Sequence, residues 1–334
     1  MKKIVVMGGG SWGTTLAILL AEKEYDVTLW EFNSELSKKM KIDRENKTFL
    51  AGRKFPENLK ITSEIDGLLK DISYLVLSIP SQFLRNILEK VSDQINEELI
   101  IVDTAKGIEI KTHERLSEII KDNVNEKAYE NLVVLSGPTH AEEVTKKKPA
   151  AIVAASKNKE TAKKVQKLFS TDYFRVYIND DIVGVELSGS LKNCIAIASG
   201  VVDGMELGDN TKSALITRGL REIVRFGTYF GAKQETFSGL AGIGDLITTC
   251  TSKHSRNRFV GEKLGKGKTL TEILNEMVMV AEGVPTVKAV YNIAKEKSIP
   301  MPIIESLYRV LYEEENPQKM IKELMERKLT EEFY

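Results

Sequence analysis

The segment that most limits how this chain can fold is its first 31 residues. Lys3-Ile4-Val5-Val6-Met7 reads as a short strand buried on both faces. It runs into Gly8-Gly9-Gly10-Ser11-Trp12-Gly13 and then into the helix-forming Thr14-Thr15-Leu16-Ala17-Ile18-Leu19-Leu20-Ala21. A second strand, Val27-Thr28-Leu29-Trp30, ends at an acid, Glu31. A strand, a G-x-G-x-x-G turn, a helix, a strand and a carboxylate, in this order, make a βαβ unit that suits a dinucleotide. Gly8 permits the tight turn, Gly10 lets the backbone approach a pyrophosphate, and Gly13 lets the helix pack closely on the strand. The free N–H groups at the helix start face the phosphates. Outside such a unit the same glycines would mark only a turn in a parallel α/β protein.

Further β-branched, apolar runs follow at Leu59–Thr62, Tyr74–Ile79, Leu99–Asp103, Leu132–Leu135, Ala151–Ala154 and Phe174–Ile178. Continuous apolar runs of this length suit strands covered on both faces. Helical patterns lie between several of them, at Ser81 to Val91, where Ser81 is expected to cap, and at Lys159 to Phe169. Alternation of this kind predicts an α/β, doubly wound (Rossmann-like) sheet. After about residue 180 the strand signal stops. Helices are expected over 182–200, 212–230, 258–264, 270–275, 284–295, 303–312 and 317–325. The chain therefore divides into a dinucleotide-binding domain, 1–180, and an all-helical substrate domain, 181–334, with a cleft between them. A length of 334 residues accommodates two domains, since single cores rarely grow beyond about 250–300 residues.

Composition excludes some functions. The 48 basic and 48 acidic residues cancel, which argues against a nucleic-acid or membrane-surface binder. Cys194 and Cys250 make no disulfide framework and have no metal-ligand spacing, and His113, His140 and His254 are scattered. No metal site is expected. The basic start Met1-Lys2-Lys3 is followed by an apolar stretch too short for a signal-peptide core, and no apolar run is long enough to span a membrane. A cytoplasmic protein is expected, with a homodimer as the default assembly.

Carbonyl reduction needs a hydride donor, a proton donor and a charge for the developing alkoxide. Two lysines stand out. Lys106 follows the Leu99–Asp103 run in Thr104-Ala105-Lys106-Gly107; taken alone it reads as one more surface lysine. Lys192 lies in Glu186-Leu187-Ser188-Gly189-Ser190-Leu191-Lys192-Asn193-Cys194, a small-residue helix where burial lowers an ammonium pKa, although a snorkelling lysine fits the same pattern. Ser238-Gly239-Leu240-Ala241-Gly242-Ile243-Gly244 reads as a glycine-rich loop leading to Asp245. Beyond it, Ser255-Arg256-Asn257 offers a hydroxyl, a guanidinium and an amide at a helix start, a set suited to a phosphate; a capped helix with a solvated arginine is the plainer reading.

Taken together, these segments resemble the bacterial-type NAD(P)-dependent glycerol-3-phosphate dehydrogenases over essentially the whole chain. Leu135-Ser136-Gly137-Pro138-Thr139-His140-Ala141-Glu142-Glu143 and Gly239-Leu240-Ala241-Gly242-Ile243-Gly244-Asp245-Leu246 are the most specific matches, joined by Leu191-Lys192-Asn193 and Glu282-Gly283. The resemblance implies interconversion of dihydroxyacetone phosphate and sn-glycerol 3-phosphate, supplying glycerophospholipid synthesis. It implies Ser11 and Trp12 on the dinucleotide, Lys106 beside both nicotinamide and substrate, Gly137 and Thr139 on the substrate, and Ala141 on the cofactor. Lys192 would be the general acid and base, with Asn193 and Thr249 orienting the reacting end. Asp245 would bind the substrate hydroxyl or hold Lys192. Ser255, Arg256 and Asn257 would hold the phosphate, with Arg256 also reaching the cofactor, and Val280 and Glu282 would complete the cofactor site. Many bacterial relatives carry a basic residue just past the second strand, where this chain has Glu31, Phe32 and Asn33. A carboxylate there accepts from a ribose 2′-OH and repels a 2′-phosphate, so NAD is expected to be preferred, with NADP admitted and Lys38 and Lys39 softening the choice. The competing readings are a two-domain dehydrogenase of hydroxy or sugar acids and an NAD(H)-sensing regulator without turnover.

Overall fold

A computed structural model of the chain describes residues 2–332; Met1, Phe333 and Tyr334 lie outside the described residues. All eight expected runs are strands: β1 (Lys3–Met7), β2 (Asp26–Trp30), β3 (Lys60–Thr62), β4 (Tyr74–Leu77), β5 (Ile100–Asp103), β6 (Leu132–Ser136), β7 (Ala150–Ala155) and β8 (Phe174–Asn179). They form one sheet in the order β3-β2-β1-β4-β5-β6-β7-β8. Neighbours pair in parallel except β6 with β7. The strands from β1 to β6 therefore all end at one edge. Both faces are covered: Val6, Val76 and Val102 pack on one side and Met7, Leu77 and Ile101 on the other. This burial on both sides explains why their sequences read as unbroken apolar runs.

The covering helices are α1 (Ser11–Glu22), α2 (Ser34–Asp43), α3 (Leu84–Val91), α4 (Leu116–Asn123), α5 (Glu126–Glu130), α6 (Ala141–Val144) and α7 (Lys159–Phe169). The α3 region departs from expectation. Residues Ser81–Phe83 form a 3-10 turn, and the Ser81 side chain does not cap a helix. Its hydroxyl instead donates to Glu282, 201 residues away.

No strand follows β8 among the described residues. The remaining helices are α8 (Ile182–Gly204), α9 (Gly208–Tyr229), α10 (Asp245–Thr251), α11 (Arg256–Gly265), α12 (Leu270–Glu276), α13 (Gly283–Glu296), α14 (Pro302–Tyr312) and α15 (Pro317–Met325). Among them, α10 was not expected: the glycine-rich segment read as a loop leading to Asp245 runs directly into a helix that begins at Asp245. Leu240–Gly244 is a π-type turn kinked at Gly242, and the chain is helical from Asp245. Leu246, Thr249 and Cys250 bury at helical spacing, the periodic signal that the glycines masked.

Helix α8 is buried nearly all round and forms the axis of this half. It crosses α11 at very short range. A Cβ on Gly261 would stand 1.8 Å from the Ile197 carbonyl oxygen, and one on Gly200 would stand 2.0 Å from that of Arg258. Backbone meets backbone along this seam, so neither helix can shift without the other. No described helix is long and apolar enough to cross a membrane. Replacing Gly261 with Ala forces the seam apart and should cost about 3 kcal/mol, the upper end for an overpacked site. A urea unfolding curve should show the midpoint shift with little change in slope; an unchanged midpoint would mean that the two backbones separate freely.

Candidate active site

The loops after β1, β2, β4, β5 and β6 leave the sheet at the same edge, beneath the helical half. Between the two halves lies a cavity of ≈ 610 Å³. Of the residues proposed for the site, Gly8, Gly10, Ser11, Trp12, Glu31 and Phe32 line its sheet side. Lys106, Thr139, Lys192, Asn193 and Thr249 line its inner part, and Ser255, Arg256, Asn257, Val280 and Glu282 its helical wall. Gly13, Gly137, Ala141 and Asp245 are off the wall.

At the first turn, Gly8 has φ +114°, and a Cβ there would lie 2.4 Å from the Ser78 carbonyl oxygen. A Cβ on Gly13 would meet the Gly8 carbonyl at 2.0 Å, so Gly13 sets how close α1 comes to the turn. Gly10 differs: nothing lies within 4 Å of where its Cβ would be. That open space above free N–H groups fits a pyrophosphate and carries no internal packing role. Gly9 was not singled out in the sequence, yet its Cβ would strike Glu31 Oε2 at 2.3 Å. Glu31 is only 9% exposed. Burial raises its pKa, opposed by the Asn33 and Gly9 backbone N–H groups. Its Oε1 accepts from Asn33 N at 2.9 Å, so part of its capacity for a ribose hydroxyl is already used. Lys38 pairs with Glu35 at 2.9 Å, and neither Lys38 nor Lys39 lines the cavity. Lys90 on α3 does line the cavity.

At the inner end three charges meet. Lys106 follows β5, Lys192 lies in the middle of α8, and Asp245 opens α10. Asp245 Oδ1 accepts from Lys192 Nζ at 2.6 Å and Oδ2 from Lys106 Nζ at 2.6 Å. Thr249, one turn beyond Asp245, accepts from Lys192 at 2.6 Å and donates to the Asp245 carbonyl at 2.7 Å. Burial pushes Asp245 up, but the Lys106 and Lys192 ammonium groups outweigh it and hold the carboxyl below its ordinary range. Burial lowers Lys192 to about 8; Asp245 opposes that shift and Lys106 adds to it. Of the two alternatives for Asp245, a hold on Lys192 is the one its bonds match, since both oxygens face the lysines. Each ammonium keeps a proton that is not used on the carboxylate. Lys106 also reaches the Gly137 carbonyl at 3.4 Å, and Thr139 donates to the same oxygen at 3.3 Å. Gly137 packs against the Ile152 backbone and Ala141 sits in the sheet core, so both lie behind the wall.

The helical wall carries Ser255, Arg256 and Asn257. Ser255 caps α11 by accepting from Arg258 N at 3.2 Å, which leaves its own proton to donate. Arg258 is spent on Asp203 at 2.6 Å, whereas Arg256 has no ion-pair partner among the described residues. Asn257 Nδ2 donates to Asn193 Oδ1 at 2.9 Å, and Asn257 Oδ1 accepts from Gly283 N at 2.9 Å. One amide proton of Asn257 stays available. The scattered histidines were not expected here, yet His140 and His254 both line the cavity, with rings 5.8 Å apart. Burial, and then Lys192, lowers the His140 pKa. His140 stands beside Thr139 in sequence, the one local signal that could have found it. Among the described residues no cluster of His, Cys, Asp or Glu could hold a metal ion.

Comparison with known proteins agrees along the whole chain. Residues 3–162 match the model described as NAD-dependent glycerol-3-phosphate dehydrogenase N-terminus, and residues 181–322 match its C-terminus. A Chlorobium limicola protein named glycerol-3-phosphate dehydrogenase [NAD(P)+] is 46% identical over 99% of both chains. One of the same name from Bacillus licheniformis is 45% identical, covering 99% of this chain and 96% of its own. The crystal structure of glycerol-3-phosphate dehydrogenase from Coxiella burnetii superposes with a TM-score of 0.93 at 37% identity, over 98% of this chain and 99% of that one. With both halves matched in order and at this identity, the chain belongs to the NAD-dependent glycerol-3-phosphate dehydrogenase family.

Proposed function

We propose that this protein interconverts dihydroxyacetone phosphate and sn-glycerol 3-phosphate with NAD(P)H, and that Lys192 is the acid and base. The observation that carries the reading is the Asp245 carboxylate shared by Lys192 and Lys106, in the cavity whose other wall holds Ser255, Arg256 and Asn257. The names of the relatives support the same reaction. The product fits a supply of glycerophospholipid synthesis. A cytoplasmic homodimer completes the reading.

In this mechanism Ser255, Arg256 and Asn257 grip the phosphate and turn the C2 carbonyl toward Lys192. The nicotinamide, when bound, supplies the hydride to C2. Lys192 donates its free proton to the carbonyl oxygen as negative charge develops there. Lys106 adds a second positive charge beside that oxygen, and Asp245 keeps both ammonium groups in place. In the reverse direction neutral Lys192 takes the proton from the C2 hydroxyl.

Removing Lys192 as alanine should lower kcat by about 10²–10⁴ while NADH still binds. Steady-state rates and NADH fluorescence titration check this, and near-normal turnover would overturn the assignment. The pH dependence has a definite sign. Reduction needs protonated Lys192, so its kcat/KM should fall as pH rises through about 8, and oxidation should rise through the same pH. Rates in both directions between pH 6 and 10 test it; limbs of the same sign would exclude Lys192 as the titrating group.

Arg256→Ala should raise KM for dihydroxyacetone phosphate roughly ten- to hundredfold, the loss of a bond to a charged group. If KM stays put and only kcat drops, Arg256 does not hold the phosphate.

Glu31 is the basis for preferring NAD. The ratio of kcat/KM for NADH over NADPH should exceed one, and Glu31→Ala should narrow it. A clear NADPH preference in the wild type refutes this.

A further inference from the structure

Glu282, expected to serve the cofactor, lines the cavity, and its carboxylate is bonded to Ser81. It arises at the start of α13, in the helical half, and is held by Ser81 in the turn after β4. Ser81 N donates to Oε1 at 3.0 Å and Ser81 Oγ donates to Oε2 at 2.5 Å. Burial raises the Glu282 pKa, and the two Ser81 bonds and then Arg256 oppose that shift. Ser81 is fully buried. The clasp closes on Gly107, the residue after Lys106: a Cβ there would stand 2.4 Å from Ser81 Oγ and 3.2 Å from Glu282 Oε2. Gln82 ties down the same loop, donating to the Ile108 carbonyl at 2.8 Å and accepting from Ile110 N at 3.0 Å. On its other side Gly283 N donates to Asn257, which donates to Asn193, next to Lys192. One unbroken path thus runs from the sheet-side turn through Glu282 to the loop bearing Lys106 and to the helix bearing Lys192.

We propose that Ser81 is a positioning residue of the active site, gripping Glu282 so that the helical half closes on the sheet and Lys106 and Asn193 stand at fixed places in the cavity. The proposal rests on the dehydrogenase reading of that cavity. If Ser81 sets how often the two halves are correctly closed, its loss taxes every ligand that needs the closed cavity by the same factor.

The test is a mutant cycle of Ser81→Ala, Glu282→Ala and the double variant, each measured at 25 °C where thermal melts show it folded. Ser81→Ala should lower kcat/KM for NADH and for dihydroxyacetone phosphate by a common factor of about ten, the order expected for one lost bond to a charged group. It should weaken NADH binding alike, and add less than twofold in the Glu282→Ala background, because the two side chains act as one unit. Gly107→Ala, which drives a methyl into the clasp, should reproduce the loss with both Ser81 and Glu282 still in the sequence. A merely structural Ser81 would lower the melting temperature and leave these constants alone. Kinetic constants within twofold of wild type for Ser81→Ala, or effects of Ser81→Ala and Glu282→Ala that multiply, would overturn the proposal. A wild-type protein that neither binds NADH nor reduces dihydroxyacetone phosphate would overturn the reading of the cavity and the proposal with it.

Discussion

Asp245 accepts from two lysines at once, and the active-site architecture depends on that sharing. The carboxylate is 2% exposed and Lys192 6%. Neither charge would persist at such depth without a partner. One carboxylate facing one lysine would neutralise it and raise its pKa, making a poor acid. One carboxylate divided between Lys192 and Lys106 leaves a net positive charge and weakens the hold on each proton. Burial lowers Lys192 first, Asp245 opposes that, and Lys106 tilts the balance down again, to about 8. The acid strength near neutral pH is set by competition between three groups from three parts of the chain.

Those parts meet because the fold brings them to one edge. Lys106 is carried there by β5, whose neighbours run the same way, so that the glycine turn after β1 and Glu31 after β2 open on the same side. Lys192 and Asp245 come from the helical half, where α10 presents Asp245 and Thr249 one turn apart on the side facing α8. The Ser81–Glu282 bonds join the two halves at the wall of the cavity between them.

Much of this could be read from residue patterns, and the failures have physical causes. All eight strands were legible because burial on both faces leaves an uninterrupted apolar run. The first turn was legible because Gly8, Gly10 and Gly13 each answer a local demand of a βαβ unit. Helix α10 was hidden because three glycines precede it and glycine usually signals a loop; within it the only buried apolar side chains are Leu246 and Cys250. Ser81 looked like a helix cap because capping is a local motif, whereas its actual partner lies 201 positions away. The closeness of Lys106 and Lys192 to one carboxylate is likewise a long-range fact. A family resemblance pointed to those residues, but no spacing in the chain encodes their 2.6 Å bonds.

The helical seam also fixes distances across the cavity. Lys192 and Asn193 ride on α8, and the Ser255–Asn257 cluster sits at the start of α11. These two helices are locked backbone to backbone at Gly200 and Gly261, and again side chain to side chain at Asn193 and Asn257. The separation between Lys192 and the Ser255–Asn257 cluster is therefore a fixed length rather than an adjustable one. On the proposed reading, that length acts as a ruler. A substrate has to place a carbonyl at Lys192 and an anionic group at Arg256 together, so a shorter hydroxy acid loses one contact and a longer sugar acid clashes. Leaving a buried polar group unpaired discriminates far more strongly than a missing apolar contact does. Rigid spacing at the seam, not the number of contacts, is what would make three carbons and a phosphate the matching length.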